Sequence, residues 1–172
     1  MSLTLVLGGA RSGKSRHAEH LIEAQPAPWC YLATAQAYDA EMTDRIALHR
    51  SRRGAGWETI DAPHHLAAAL RTVPPGRPVL IDCLTLWLAN RMLAEADLDM
   101  EGAVLTTALL GHDGEIVIVS NEVGLSIVPE NALARRFRDA QGRLNQRIAE
   151  IADRVLFMVA GLPMTVKDER GR

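Results

Sequence analysis

Residues 8–15 read Gly8-Gly9-Ala10-Arg11-Ser12-Gly13-Lys14-Ser15, the G-x-x-x-x-G-K-S spacing of a phosphate-binding loop. The apolar run Leu3 to Leu7 before it predicts a strand, and the segment 14–24 after it predicts a helix. The motif requires that strand–loop–helix context. Glycines let the backbone amides turn onto phosphate oxygens, and the helix start adds partial positive charge. In such a loop Lys14 reaches the β- and γ-phosphates, and the Ser15 hydroxyl holds Mg²⁺. All eight residues are candidate nucleotide-binding positions, with Lys14 also catalytic.

Outward from the loop, composition sets the class. The chain has 172 residues, of which 48% are hydrophobic. That is enough for one α/β domain with a full core, so 1–172 is read as a single nucleotide-binding domain. A net charge of −2 is not the footprint of bulk nucleic-acid binding, so no nucleic acid is expected. No apolar run approaches a membrane span, so no stable membrane insertion is expected. The chain leads directly into the first strand, without a charged segment and a cleavable apolar one, and a cytoplasmic location is expected. Cys30 and Cys83 sit at apolar runs without metal-ligand spacing, and are read as buried thiols.

Further along, Trp29–Ala33 predicts a second strand ending in the turn Thr34-Ala35-Gln36. A helix is expected over 39–53, stopped by Gly54 and Gly56. Residues 57–60 form a weak strand followed by Asp61, and 63–72 a helix. Residues 78–82 form an apolar strand ending in Asp82, the usual form of the Mg²⁺-associated Walker B strand. Helices follow over 84–96 and 100–110, then a strand over 115–120 running into Asn121-Glu122-Val123-Gly124. The longest helix spans 131–152, with Leu133, Phe137, Ala140, Leu144, Ile148 and Ile151 as its apolar stripe. A last strand covers 154–160, and a short tail follows Gly161. This alternation predicts a P-loop NTPase-type α/β fold: a doubly wound, mostly parallel sheet with helices on both faces. Ligands in such folds sit beyond the carboxyl ends of the strands, which is where the Thr34 turn, Asp82 and Glu122 fall.

The 39–53 segment carries His49 among Arg45, Arg50, Arg52 and Arg53. Guanidinium groups pair with phosphate oxygens in a bidentate fork, and a neutral imidazole can attack phosphorus to form a phosphoramidate. A solvated basic helix face is the plainer reading of the same residues.

Across nearly its whole length the chain resembles the bifunctional adenosylcobinamide kinase / adenosylcobinamide-phosphate guanylyltransferase family of cobalamin biosynthesis. The resemblance rests on the phosphate loop with its Ala10-Arg11 insert, on Tyr31 to Ala35, and on Glu41-Met42, Arg45-Ile46 and His49-Arg50. The most specific block is Asn121-Glu122-Val123-Gly124-Leu125-Ser126-Ile127-Val128-Pro129-Glu130-Asn131, continuing into Arg135, Phe137-Arg138-Asp139, Gly142 and Asn145-Gln146.

The resemblance implies that His49 is guanylylated during transfer. It implies that Arg50, Ser51, Arg52 and Arg53 contact GTP, and that Ala33, Thr34 and Ala35 form a nucleotide-contacting turn. Leu48 stands where some relatives carry a second His, leaving His49 as the candidate. Asp61 and Asp82 stand where family members often carry Glu, and are taken as nucleotide-side residues, Asp82 with Ser15 as metal ligands. Two reactions are implied. ATP or GTP phosphorylates adenosylcobinamide; GTP then guanylylates His49, and adenosylcobinamide phosphate takes the GMP to give adenosylcobinamide-GDP. Mg²⁺ serves both. Glu122 is a candidate kinase base from its strand-end position, or a structural carboxylate paired with an Arg of the 131–152 helix. Family members form trimers; the apolar stretch Leu84–Met92 could supply an interface or core. Two rival readings remain at this point: a kinase alone, with His49 structural, or a non-enzymatic nucleotide-dependent interaction module.

Overall fold

A computed structural model of the chain describes residues 2–36 and 54–170. The helix expected over 39–53, with His49 and its arginines, lies outside the described residues. Among those described, the strands are β1 (Ser2–Gly8), β2 (Trp29–Ala33), β3 (Trp57–Asp61), β4 (Val79–Asp82), β5 (Glu115–Asn121), β6 (Arg154–Val159) and β7 (Leu162–Asp168). The helices are α1 (Lys14–Glu23), α2 (Leu66–Thr72), α3 (Leu84–Leu93), α4 (Leu98–Leu110) and α5 (Ala132–Ile151). One sheet runs β3-β2-β4-β5-β1-β6-β7. Strands β1 to β6 are parallel, so their carboxyl ends share one edge, and β7 returns antiparallel to β6.

Side chains alternate across each strand and feed two cores. Leu3, Leu5, Ile116, Ile118, Val79 and Ile81 face Leu66, Leu84, Trp87, Leu105, Leu144 and Ile148 of α2 to α5. On the opposite face Val6, Val117, Val119, Leu80 and Tyr31 meet Ala18 and Ile22 of α1. This is the doubly wound α/β arrangement that the sequence predicts. Leu84, Trp87, Leu88 and Met92 are all buried, so the 84–92 stretch packs the core.

The boundaries differ where side chains compete for backbone groups. The second helix begins at Leu66, not at 63, because Asn90 Nδ2 donates to the Pro63 carbonyl and Trp87 Nε1 to that of His64. Those carbonyls serve tertiary contacts instead of a helical turn. Helix α4 begins before 100 because the Asp97 carboxylate caps it, accepting from Asp99 N and Met100 N. Asn131 caps α5 in the same way. Of the α5 stripe, Leu133 is exposed, while Ala140, Leu144 and Ile148 are buried.

The tail after Gly161 is in fact strand β7. Ala160 and Gly161 both take positive φ, 51° and 83°, matching the twist of a tight hairpin. Leu162, Met164 and Val166 are all exposed, so β7 carries no burial pattern of its own. Its pairing with β6 makes it a strand.

Candidate active site

The phosphate loop is built by backbone geometry. Gly8 has φ +154°, and a Cβ there would sit 2.7 Å from Ser12 Oγ and 2.8 Å from the Met158 carbonyl oxygen. Gly13 has φ +92°, and its Cβ would meet the Gly161 Cα at 3.2 Å. Both positions therefore require glycine. Arg11 also takes a positive φ of 54°. The Gly161 N–H donates to the Ser12 carbonyl at 3.0 Å, so the β6–β7 turn buttresses the loop. A short tail after Gly161, as the sequence suggests, gives no hint of this contact; the Ala160-Gly161 pair is the available turn signal.

Lys14 is buried, and its Nζ donates to the Gly9 carbonyl at 2.5 Å. Burial lowers its pKa, while the nearby Cys83 and Asp82 act in the opposite direction. Ser15 follows in the first turn of α1, half-buried.

Asp82 closes β4 and faces α1. Tyr31 Oη donates to its Oδ2 at 3.0 Å. Beside it, the Thr34 hydroxyl donates to the Cys83 carbonyl and accepts from the Cys83 N–H, both at 2.7 Å. Asn90 Nδ2 donates to the Thr34 carbonyl at 3.0 Å. Thr34, fully buried, thus ties the end of β2 to the end of β4. Cys83 and Cys30 are both buried free thiols. Burial pushes Cys83 up to about 12, with the Asp82 charge adding to it, and Cys30 up to about 11.

The end of β5 is held by side chains. Asn121 pairs with Gly8, and the Glu122 N–H donates to the Gly8 carbonyl at 3.1 Å. The Glu122 carboxylate accepts from Gly124 N at 2.6 Å, closing its own turn. Among the described residues no ion pair joins Glu122 to an arginine of α5; Arg135 Nη1, the nearest to it in sequence, donates to the Pro129 and Glu130 carbonyls.

Sheet order spaces these residues. Asp82 lies two strands from Gly8, about 10 Å, whereas Asp61, on β3, lies four strands away, about 19 Å. The structure therefore gathers Gly8 to Ser15 with Asp82 and Asn121, sets Ala33 to Ala35 one strand further out, and leaves Asp61 at the outer edge. His49, Arg50, Ser51, Arg52 and Arg53 lie outside the described residues. Three aromatics that looked scattered in sequence meet on β2 and β3: Trp29 and Trp57 at 5.4 Å between ring centroids, Tyr31 and Trp57 at 6.0 Å.

A family model described as "Cobinamide kinase / cobinamide phosphate guanyltransferase" matches residues 4–166. The chain belongs to this family. The Pseudomonas aeruginosa "Bifunctional adenosylcobalamin biosynthesis protein CobP" is 52% identical over 96% of this chain and 97% of its own length. The CobU protein of the same description from Salmonella typhimurium is 40% identical over 96% and 99%. Among solved structures, a prototypical ATPase of the type III secretion system superposes with a TM-score of 0.53 at 14% identity, over 95% of this chain and 56% of that one. At that identity the likeness supports the fold, a P-loop nucleotide-binding α/β sheet. The family's activities are those of a kinase and a guanylyltransferase, so this cobinamide kinase / guanyltransferase family member is an enzyme of adenosylcobalamin biosynthesis. No described helix is long and apolar enough to cross a membrane.

Proposed function

We propose that the chain acts as one domain that phosphorylates adenosylcobinamide with ATP or GTP and then transfers GMP from GTP, through a guanylyl-His49 intermediate, to give adenosylcobinamide-GDP. The observation that carries this reading is the family match over 4–166, coupled with a phosphate loop whose lysine lies beside the Asp82 carboxylate. In the kinase step Lys14 binds the β/γ-phosphate oxygens, and the loop amides orient the chain of phosphates. In the second step His49 attacks the α-phosphorus of GTP, pyrophosphate leaves, and the arginines after His49 offset the developing charge. The corrinoid phosphate then takes the GMP and frees the imidazole.

Ser15 and Asp82 are the residues proposed to hold Mg²⁺. A hydroxyl and a carboxylate are hard oxygen donors that suit it. Mg²⁺ is commonly shared between one or two carboxylates and substrate phosphates, which one carboxylate and one hydroxyl at the phosphate loop would suit. When bound, it neutralises phosphate charge. The proposal extends to a cytoplasmic homotrimer, for which light scattering is the direct check.

The decisive experiment incubates the protein with Mg²⁺ and GTP labelled at the α-phosphorus, beside His49→Ala. Label retained on denatured wild type, acid-labile and base-stable, and absent from the variant, is the expected result. No retained label on folded, GTP-bound protein would leave a kinase alone.

A further inference from the structure

We propose that the Asn121 carboxamide is a catalytic residue of the kinase step, donating a hydrogen bond to the transferring γ-phosphoryl group, and that Thr85 and Asn145 are its positioning residues. This rests on the kinase reading above.

Strand parity comes first. Val117 and Val119 pack on the α1 side of the sheet, with Val6, Ala18 and Ile22. Two residues beyond Val119, Asn121 keeps the same side. It pairs with Gly8, at the start of the phosphate loop, while Val119 pairs with Asp82 on the neighbouring strand. Asn121 therefore stands between the loop and the Asp82 carboxylate, on the face from which α1 presents Lys14. It is half-buried, and among the described residues no hydrogen bond engages its carboxamide.

Its backbone is held in an unusual way. Neighbouring residues of a parallel strand turn their peptide groups to opposite sides, and Glu122 bonds to β1. The Asn121 groups thus face β4, which has already ended at Asp82. Two side chains take the place of the missing strand. Thr85 Oγ1 accepts from the Asn121 N–H at 2.8 Å, and Asn145 Nδ2 donates to the Asn121 carbonyl at 3.1 Å. Behind them, Asn145 Oδ1 accepts from Ser120 Oγ at 2.7 Å and from Gln141 Nε2 at 2.9 Å. Ser120, Gln141 and Asn145 are buried, and Gln141 Oε1 has no partner among the described residues. Burying that much polarity costs stability relative to an apolar seam. What it secures is a single orientation for the Asn121 peptide, and with it the carboxamide.

In the transfer the acceptor hydroxyl oxygen bonds to the γ-phosphorus as the bond from phosphorus to the β,γ-bridging oxygen breaks. The nucleoside diphosphate leaves with that electron pair, and the hydroxyl proton passes to water. Charge redistributes over the equatorial oxygens in the transition state, where a fixed N–H donor lowers the barrier more than it tightens nucleotide binding.

The test follows γ-labelled ATP into cobinamide, with Mg²⁺, for wild type, Asn121→Ala, Asn121→Asp, Thr85→Val and Thr85→Ser, with melting temperatures beside the kinetics. Asn121→Ala should lose about 100-fold in kcat, with KM for ATP little changed and the protein still folded. Asn121→Asp should be no better, since it replaces the donor with a charge. Thr85→Val, which keeps shape but strands the Asn121 N–H, should lose about 10-fold in kcat, and Thr85→Ser should recover it. Should Asn121→Ala melt well below wild type, the isosteric Asn121→Asp decides. Wild-type kcat in a folded Asn121 variant, or a loss confined to KM, overturns the proposal while leaving the kinase reading intact. A wild type that transfers no label overturns both.

Discussion

Two parts of the ligand edge are made by opposite means. The phosphate loop is one contiguous stretch, shaped by Gly8 and Gly13 and by the start of α1. The ends of β2, β4 and β5 are instead assembled by side chains from distant segments. Thr34 bridges 49 positions to Cys83, and Asn145 reaches back 24 to Asn121. Contiguous backbone makes a site that can be read and moved as a unit. An assembled edge makes a site whose position depends on buried hydrogen bonds, so breaking the bonds that brace it should register in stability as well as in rate.

Lys14→Met tests the contrast most strongly. It should cut kinase kcat by about 1000-fold, because the lost cation stabilises transferring charge. Stability should hold or rise, since burial already disfavours the Lys14 ammonium. Steady-state rates and thermal melts on the same preparation check both halves. A large loss of stability would break the comparison.

Thr34→Val is the counterpart. It keeps the shape but leaves the buried Cys83 N–H without its acceptor, which should cost about 1–3 kcal/mol. Urea unfolding measures it, and the residual kcat of folded protein should fall far less than in Lys14→Met. Equal kinetic losses in the two variants would show that the assembled edge is chemical rather than supportive.

The smallest effect is a pH slope. Cys83 and Cys30 are raised in the folded state from the ordinary thiol value of 9.0. The folded protein therefore holds their protons more tightly than the unfolded chain does. Their contribution is fully present below pH 9 and is lost as pH rises through about 11 and about 12. Unfolding measured under reductant from pH 8 to 11 should show stability falling above 9, and Cys83→Ala should flatten that fall. An unchanged slope would place the alkaline sensitivity elsewhere.

The sequence carried the parts whose physics is local. Glycines at fixed offsets, a Lys-Ser pair and a following helix determine a phosphate loop. Apolar runs separated by amphipathic segments determine a doubly wound sheet, and Asp82 is marked by the strand it ends. The family was legible too, in the block from Asn121 to Asn131. Strand β7 was not, because its side chains are exposed and only the Ala160-Gly161 turn and the pairing with β6 make it a strand. The start of α2 was not, because Asn90 and Trp87 take carbonyls that a helix would otherwise use. The clamp on Asn121 was invisible for a related reason. Thr85, Ser120, Gln141 and Asn145 are ordinary polar residues until the sheet order sets β4 beside β5 and α5 against it. Local propensity reaches a few residues along the chain; hydrogen bonds between buried groups 20 to 50 positions apart exist only once tertiary packing has excluded the water that would compete for them.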